Sequence, residues 1–143
     1  MKSIKISMVC LLFIGILSAC NNGNNSHSSS ESTAQSAEVD ATITVSAPEM
    51  HSMYNLGQEV KIIGKIESSN ELHGYKLSII QKSDGQVVFS KEFNEHEKSY
   101  DFSEAWKNEV NGMQDMELRV IVALDHNNHT KTETVDFHCH GKM

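Results

Sequence analysis

The chain has 143 residues, 38% of them hydrophobic and 22% charged, and a net charge of -7 with histidine neutral. That acidic excess argues against nucleic acid or anionic lipid as a partner and is compatible with cation binding. Residues 39 to 143 are enough for one modest core, and no internal repeat divides them.

The N-terminus comes first. Lys2 and Lys5 form a positive segment, and residues 8 to 17 form an apolar run. Spanning a bilayer takes about 20 apolar residues, so this run reads as a secretory signal and not as an anchor. It ends in Leu17-Ser18-Ala19-Cys20, an aliphatic residue and two small ones before a cysteine. This stretch resembles the lipobox of bacterial lipoproteins. The resemblance implies a leader over 1–19, cleavage before Cys20 and covalent lipid on the Cys20 sulfur. Several acyl chains on one cysteine give stable membrane attachment. Asn21 stands where aspartate would favour inner-membrane retention in enteric bacteria, so the resemblance favours the outer membrane. Loss of Lys2 and Lys5 with the leader leaves ten cations against nineteen carboxylates, a net charge of -9.

On that resemblance, residues 20–38 are expected to be a lipidated tether. From 21 onward it is nearly all Asn, Ser, Gly, Thr, Ala, Gln and Glu. Such a composition cannot bury apolar surface, so a disordered, flexible linker is expected. The resemblance implies that Cys10 leaves with the leader and Cys20 carries lipid, which would leave Cys139 without a disulfide partner. A single remaining cysteine is a buried thiol, an intermolecular partner or a metal ligand.

From residue 39 the hydrophobic period is two. Ile43 and Val45 alternate with threonine. Val60, Ile62, Gly64 and Ile66 alternate with Lys61, Ile63 and Lys65. Tyr75, Leu77 and Ile79 follow, and Asp84-Gly85 is a hairpin turn into Val87, Val88 and Phe89. Tyr100 and Phe102 mark a fifth strand. Met116, Leu118, Val120, Val122 and Leu124 make the longest clean alternation, and Val135 and Phe137 mark a seventh strand. This is the signature of half-buried strands. Ser103-Glu104-Ala105-Trp106-Lys107 reads as a short helix with a serine cap.

Seven short strands in about 100 residues predict an all-β, immunoglobulin-like sandwich over 39–143. Val122-Ala123-Leu124-Asp125-His126-Asn127-Asn128 resembles the sixth-strand turn of bacterial Ig-like modules, which often read Ala-x-Asp-x-x-Gly-Asn. Asn127 takes the glycine position if Asn128 is the asparagine, and asparagine tolerates positive φ. The resemblance implies fold and not function.

All eight histidines lie after the leader. His27 is in the tether, and the other seven fall at strand ends and loops, where a rigid sandwich carries binding groups. Consecutive loops alternate between the two ends. One end therefore collects Met50, His51, Met53, Met113, Met116, His138, His140 and Met143. The other collects His73, His96, His126 and His129, with Glu71, Glu95 and Asp125 nearby. Imidazole suits zinc, copper and nickel, whereas thioether suits reduced copper. The Met-His-x-Met stretch and the His-Cys-His terminus are copper-like. The arrangement loosely resembles periplasmic copper-binding sandwich proteins, which implies His and Met ligands at a sandwich end. A last strand that continues to residue 140 turns Cys139 inward with Val135 and Phe137, leaving His138 and His140 to chelate outward. A strand that frays after Phe137 lets all three converge.

No nucleophile elbow, phosphate loop or paired-carboxylate motif is present, so no enzyme is expected. The expected function is a membrane-tethered module binding copper or zinc through His73, His96, His126, His129, His51, Met53, His138 and His140. The alternative is a structural or interaction module with an envelope protein partner, its edge strands open to backbone pairing. In that case the histidines and methionines are solvated surface and packing residues.

Overall fold

The computed structural model describes residues 39–142. The expected leader, the expected lipidation at Cys20, the expected tether with His27, and Met143 lie outside the described residues. The described chain is all β, with no helix. Eight strands run in the order β1 (Ala41–Ala47), β2 (Met53–Tyr54), β3 (Glu59–Ser68), β4 (Tyr75–Gln81), β5 (Val87–Phe93), β6 (Ser99–Lys107), β7 (Met113–Ala123) and β8 (Thr130–His140). One sheet has the order β1-β3-β6 and the other β2-β8-β7-β4-β5. Two sheets joined by crossing connections, with β4–β5 and β7–β8 as antiparallel neighbours, make an Ig-like sandwich.

Alternation builds the core. In β3, Val60, Ile62, Gly64 and Ile66 are buried and their neighbours exposed. In β7, Met116, Leu118, Val120 and Val122 are fully buried. They pack with Leu77, Ile79, Phe102 and Phe137 from both sheets in one cluster. Met116 is thus a core residue and does not join the methionines at the sandwich end. The Asp84-Gly85 turn forms as the sequence predicts. Gly85 takes φ +75°, and the Asp84 carboxylate accepts from the Gln86 amide at 2.9 Å.

Three expectations are corrected. The stretch from Ser103 to Lys107 is not a helix but the second half of β6. It pairs with β3 from Ile63↔Ser103 to Glu59↔Lys107. Five residues are too few to hold a helix without tertiary support, and the ladder takes up the backbone groups such a turn would leave open. The strand count is eight because Met53–Tyr54 pairs in parallel with His138 and Cys139. Two residues carry no period, so β2 leaves no sequence signal. The left-handed residue in the β7–β8 turn is Asn128, at φ +64°, and not Asn127.

Gly64, in β3, leaves no room for a side chain between β1 and β6. A Cβ there would lie 2.3 Å from the Thr44 carbonyl oxygen and 2.4 Å from the Phe102 ring. Overpacking of this kind costs about 1–3 kcal/mol. Gly64→Ala should lower the unfolding free energy by that amount in urea titrations, while Gly85→Ala, whose Cβ would meet nothing within 4 Å, perturbs only the turn.

Candidate functional site

Three loops meet at one end of the sandwich: residues 69–74 before β4, 94–98 before β6 and 124–129 before β8. Backbone bonds join them. The Leu72 amide donates to the Glu97 carbonyl at 2.9 Å, and the His73 amide donates to the Ala123 carbonyl at 2.8 Å. The hub is the Tyr100 hydroxyl. It accepts from the amides of Gly74 at 3.3 Å and Glu97 at 3.1 Å and faces the carbonyls of Leu72 and Glu95. Gly74 at φ +94° brings the first loop against the second, since a Cβ there would lie 2.2 Å from the Phe93 carbonyl oxygen.

These anchors gather three imidazoles, one per loop. The His73 and His126 ring centroids are 3.9 Å apart, His73 and His96 4.8 Å, and His96 and His126 6.1 Å. His73 Nδ1 is buried without a hydrogen-bond partner. Glu71 stands 3.8 Å from His96 Nδ1. His129 is engaged elsewhere: its Nδ1 lies 2.6 Å from the Asp125 carboxylate. Burial alone would raise the Asp125 pKa. Hydrogen bonds from the His129 ring and from the amides of Asn127 and His129 outweigh it and hold the carboxyl below its ordinary value.

The other grouping sits on the outer face of the five-stranded sheet, at its far corner. Strand β8 continues to His140, so Cys139 turns inward and is fully buried. Burial pushes its thiol up to about 11, and its inward direction sets it on the opposite face of the strand from His138 and His140. The register sets Met53 beside His138 on one side and Asp115 beside it on the other, with Met113 opposite His140. His138 Nδ1 lies 2.8 Å from the Asp115 carboxylate. If that nitrogen carries the proton, Nε2 is left as an electron-pair donor. His140 Nε2 is buried without a partner. His51, at φ +60°, stacks its ring on His138 with centroids 6.1 Å apart. Met53, Met113, His138 and His140 line a cavity of about 550 Å³ together with Lys82 and Asp115.

Sequence reasoning missed the residue that holds this corner together. Asn108 is fully buried, and its amide donates to the carbonyls of Tyr54 at 3.1 Å and His140 at 3.0 Å. It ties β2 to the end of β8. In the sequence it stands between Lys107 and Glu109 in a polar stretch and is indistinguishable from an ordinary loop asparagine. Among the described residues, no group of three or more His, Cys, Asp or Glu side chains is placed to hold a metal ion.

No protein-family model matches the chain, and no curated protein does. Among solved structures, it is similar to the fibronectin(III)-like modules of Clostridium thermocellum CbhA at 19% identity and a TM-score of 0.46. That match covers 73% of this chain and 47% of the other, so this chain spans about half the length of the structure it resembles. It is also similar to the CARDB domain of the PF1109 protein from Pyrococcus furiosus in complex with di-metal ions. There the identity is 14%, the TM-score 0.41, and the coverage 69% of this chain and 93% of the other.

Tyr100→Phe should destabilise the domain by about 1–3 kcal/mol, the cost of leaving buried polar groups unpaired, with faster hydrogen exchange at Gly74 and Glu97. The Asp125 bonds contribute stability above the ordinary aspartate value of 3.8 and lose it as pH falls through the lower folded value. The protection factors of the Asn127 and His129 amides, taken relative to intrinsic exchange at each pH, should therefore hold steady down to that lower value and fall below it. Cys139 should resist iodoacetamide at pH 8 in the folded protein and react at once in denaturant.

Proposed function

We propose that this chain is a lipid-anchored protein of the cell envelope whose Ig-like domain binds copper or zinc, to sequester the ion or hand it on. One observation carries the reading. The buried side-chain nitrogens and oxygens without a partner, among the described residues, are His73 Nδ1 and His140 Nε2. One belongs to each histidine grouping. An orphaned buried polar atom costs about 1–3 kcal/mol, and a coordinated cation would supply the missing partner.

The spacing at the loop end supports this. A Zn–N bond of about 2.0–2.1 Å sets the ring centroids of two ligands in a tetrahedral site roughly 5 Å apart. The centroid separations of 3.9, 4.8 and 6.1 Å bracket that value. Binding on this reading requires the imidazoles to rotate about their side-chain bonds, because no three ligating groups are placed for an ion in the described structure. That donor set suits Zn(II) or Cu(II), and the corner with Met53 and Met113 suits reduced copper. The net charge of -9 after loss of the leader favours cation approach. The Leu17-Ser18-Ala19-Cys20 stretch is what supports the anchor and the envelope location.

The second reading is a structural or interaction module. It is favoured by the sandwich architecture and by the missing convergence of three ligating atoms. Edge strand β5 leaves Val87 more than half exposed, open to backbone pairing with a partner protein.

Equilibrium dialysis of the full chain in detergent separates the two. Metal binding predicts retention of zinc or copper below micromolar concentration. At a free ion concentration one hundred times Kd, the folded state should gain about 2.7 kcal/mol. Joint His73→Ala and His96→Ala substitution should remove the loop-end ion and leave the fold intact. Retention of neither ion would leave the interaction module as the reading.

A further inference from the structure

We infer that Met53 and Met113 form a reversible oxidation site by which a peroxide releases a soft metal ion from the His138–His140 corner. The inference rests on the reading of that corner as a metal site and adds its regulation.

The exposure pattern separates the methionines. Met113 is 76% exposed, Met50 63% and Met53 57%, whereas Met116, in the same strand as Met113, is 0% exposed. A large apolar side chain this open contributes little to packing, and two of the three, Met53 and Met113, sit at one sheet corner. Register sets two of them against imidazoles: Met53 beside His138 and Met113 opposite His140. These four side chains line one cavity, wide enough to admit a hydroperoxide. Met50 is equally open but belongs to the turn before β2 and does not line that cavity. Cys139, the free thiol of the described chain, is fully buried on the inner face, so it does not compete as the oxidised group.

The chemistry balances with hydrogen peroxide as the oxidant. The thioether sulfur attacks one peroxide oxygen, the O–O bond breaks, and the departing hydroxide takes the remaining proton as water. Sulfur loses two electrons and the peroxide gains them. The sulfoxide replaces a soft sulfur donor with a hard, polar S=O group. Soft ions select thioether over such an oxygen, so oxidation of either methionine weakens the corner for a reduced-copper-like ion. Reductases that act on methionine sulfoxide reverse the step.

The test uses the full chain in detergent, with silver(I) as a redox-inert soft ion and peptide mass spectrometry as one readout. Peroxide should add one oxygen to Met50, Met53 and Met113 and spare Met116 while the protein is folded. Prior loading with silver(I) should slow oxidation of Met53 and Met113 at least five-fold and leave Met50 unchanged. The oxidised chain should bind silver(I) at least ten-fold more weakly, with recovery after sulfoxide reductase treatment. A chain carrying Met53→Leu and Met113→Leu should bind silver(I) as weakly as the oxidised protein, and peroxide should change it no further. Unchanged silver(I) affinity after complete oxidation of Met53 and Met113 overturns the inference and leaves the metal site standing. Oxidation of Met116 as fast as Met113 also overturns it. Failure of the untreated chain to bind silver(I) removes the soft-metal reading and the switch with it.

Discussion

Everything in this domain that bears on chemistry hangs from the antiparallel ladder between β7 and β8. Eleven residues pair without a break, from Met113↔His140 to Ala123↔Thr130. The side-chain period is two, so a slip of one residue would expose Met116, Leu118, Val120 and Val122 and drive Asp115 and Arg119 into the core. Fully burying one such aliphatic residue stabilises by about 1.5–3 kcal/mol, so four of them forbid the slip. The same register faces His138 with Asp115 and His140 with Met113 at one end and presents the His126 turn at the other. The core thus sets the geometry of both histidine groupings.

The two ends are then held by different means. At the loop end, one phenol hydroxyl satisfies groups from two loops, and the outermost turn of β7–β8 is shaped by the Asp125 carboxylate. At the corner, a buried amide side chain bridges β2 and β8, and Cys139 belongs to the core cluster. Each device leaves one imidazole nitrogen orphaned against the protein. A fold that satisfies Tyr100 and Asn108 so fully, yet strands His73 Nδ1 and His140 Nε2, concentrates its unmet bonding capacity at two places. Loops and sheet edges tolerate that cost because the β7–β8 ladder does not depend on them.

The sandwich was legible because alternation is a local property. β3, β4, β7 and β8 each show their buried face in the sequence, and the Asp84-Gly85 turn shows its own chemistry. The stretch from Ser103 to Lys107 misled because serine before Glu-Ala-Trp carries helical cap signals, while its fate is set by β3, some forty residues away. β2 was invisible for a similar reason: its two residues are a strand only because β8 lies beside them. His129 belongs by sequence with the other imidazoles, yet Asp125, four residues earlier, engages it.

The sequence by itself determined which residues face inward and, through the parity of its loops, which histidines share an end. Both follow from the period of two and from the rule that successive strands reverse direction. Tertiary structure alone decided that His73, His96 and His126 touch, that Met116 withdraws into the core while Met113 stays open, and that Tyr100 and Asn108 are the fasteners. Those outcomes depend on contacts between residues as far apart as Tyr54 and Asn108. No local pattern encodes such a contact, because its partners meet only when two sheets close over a common core.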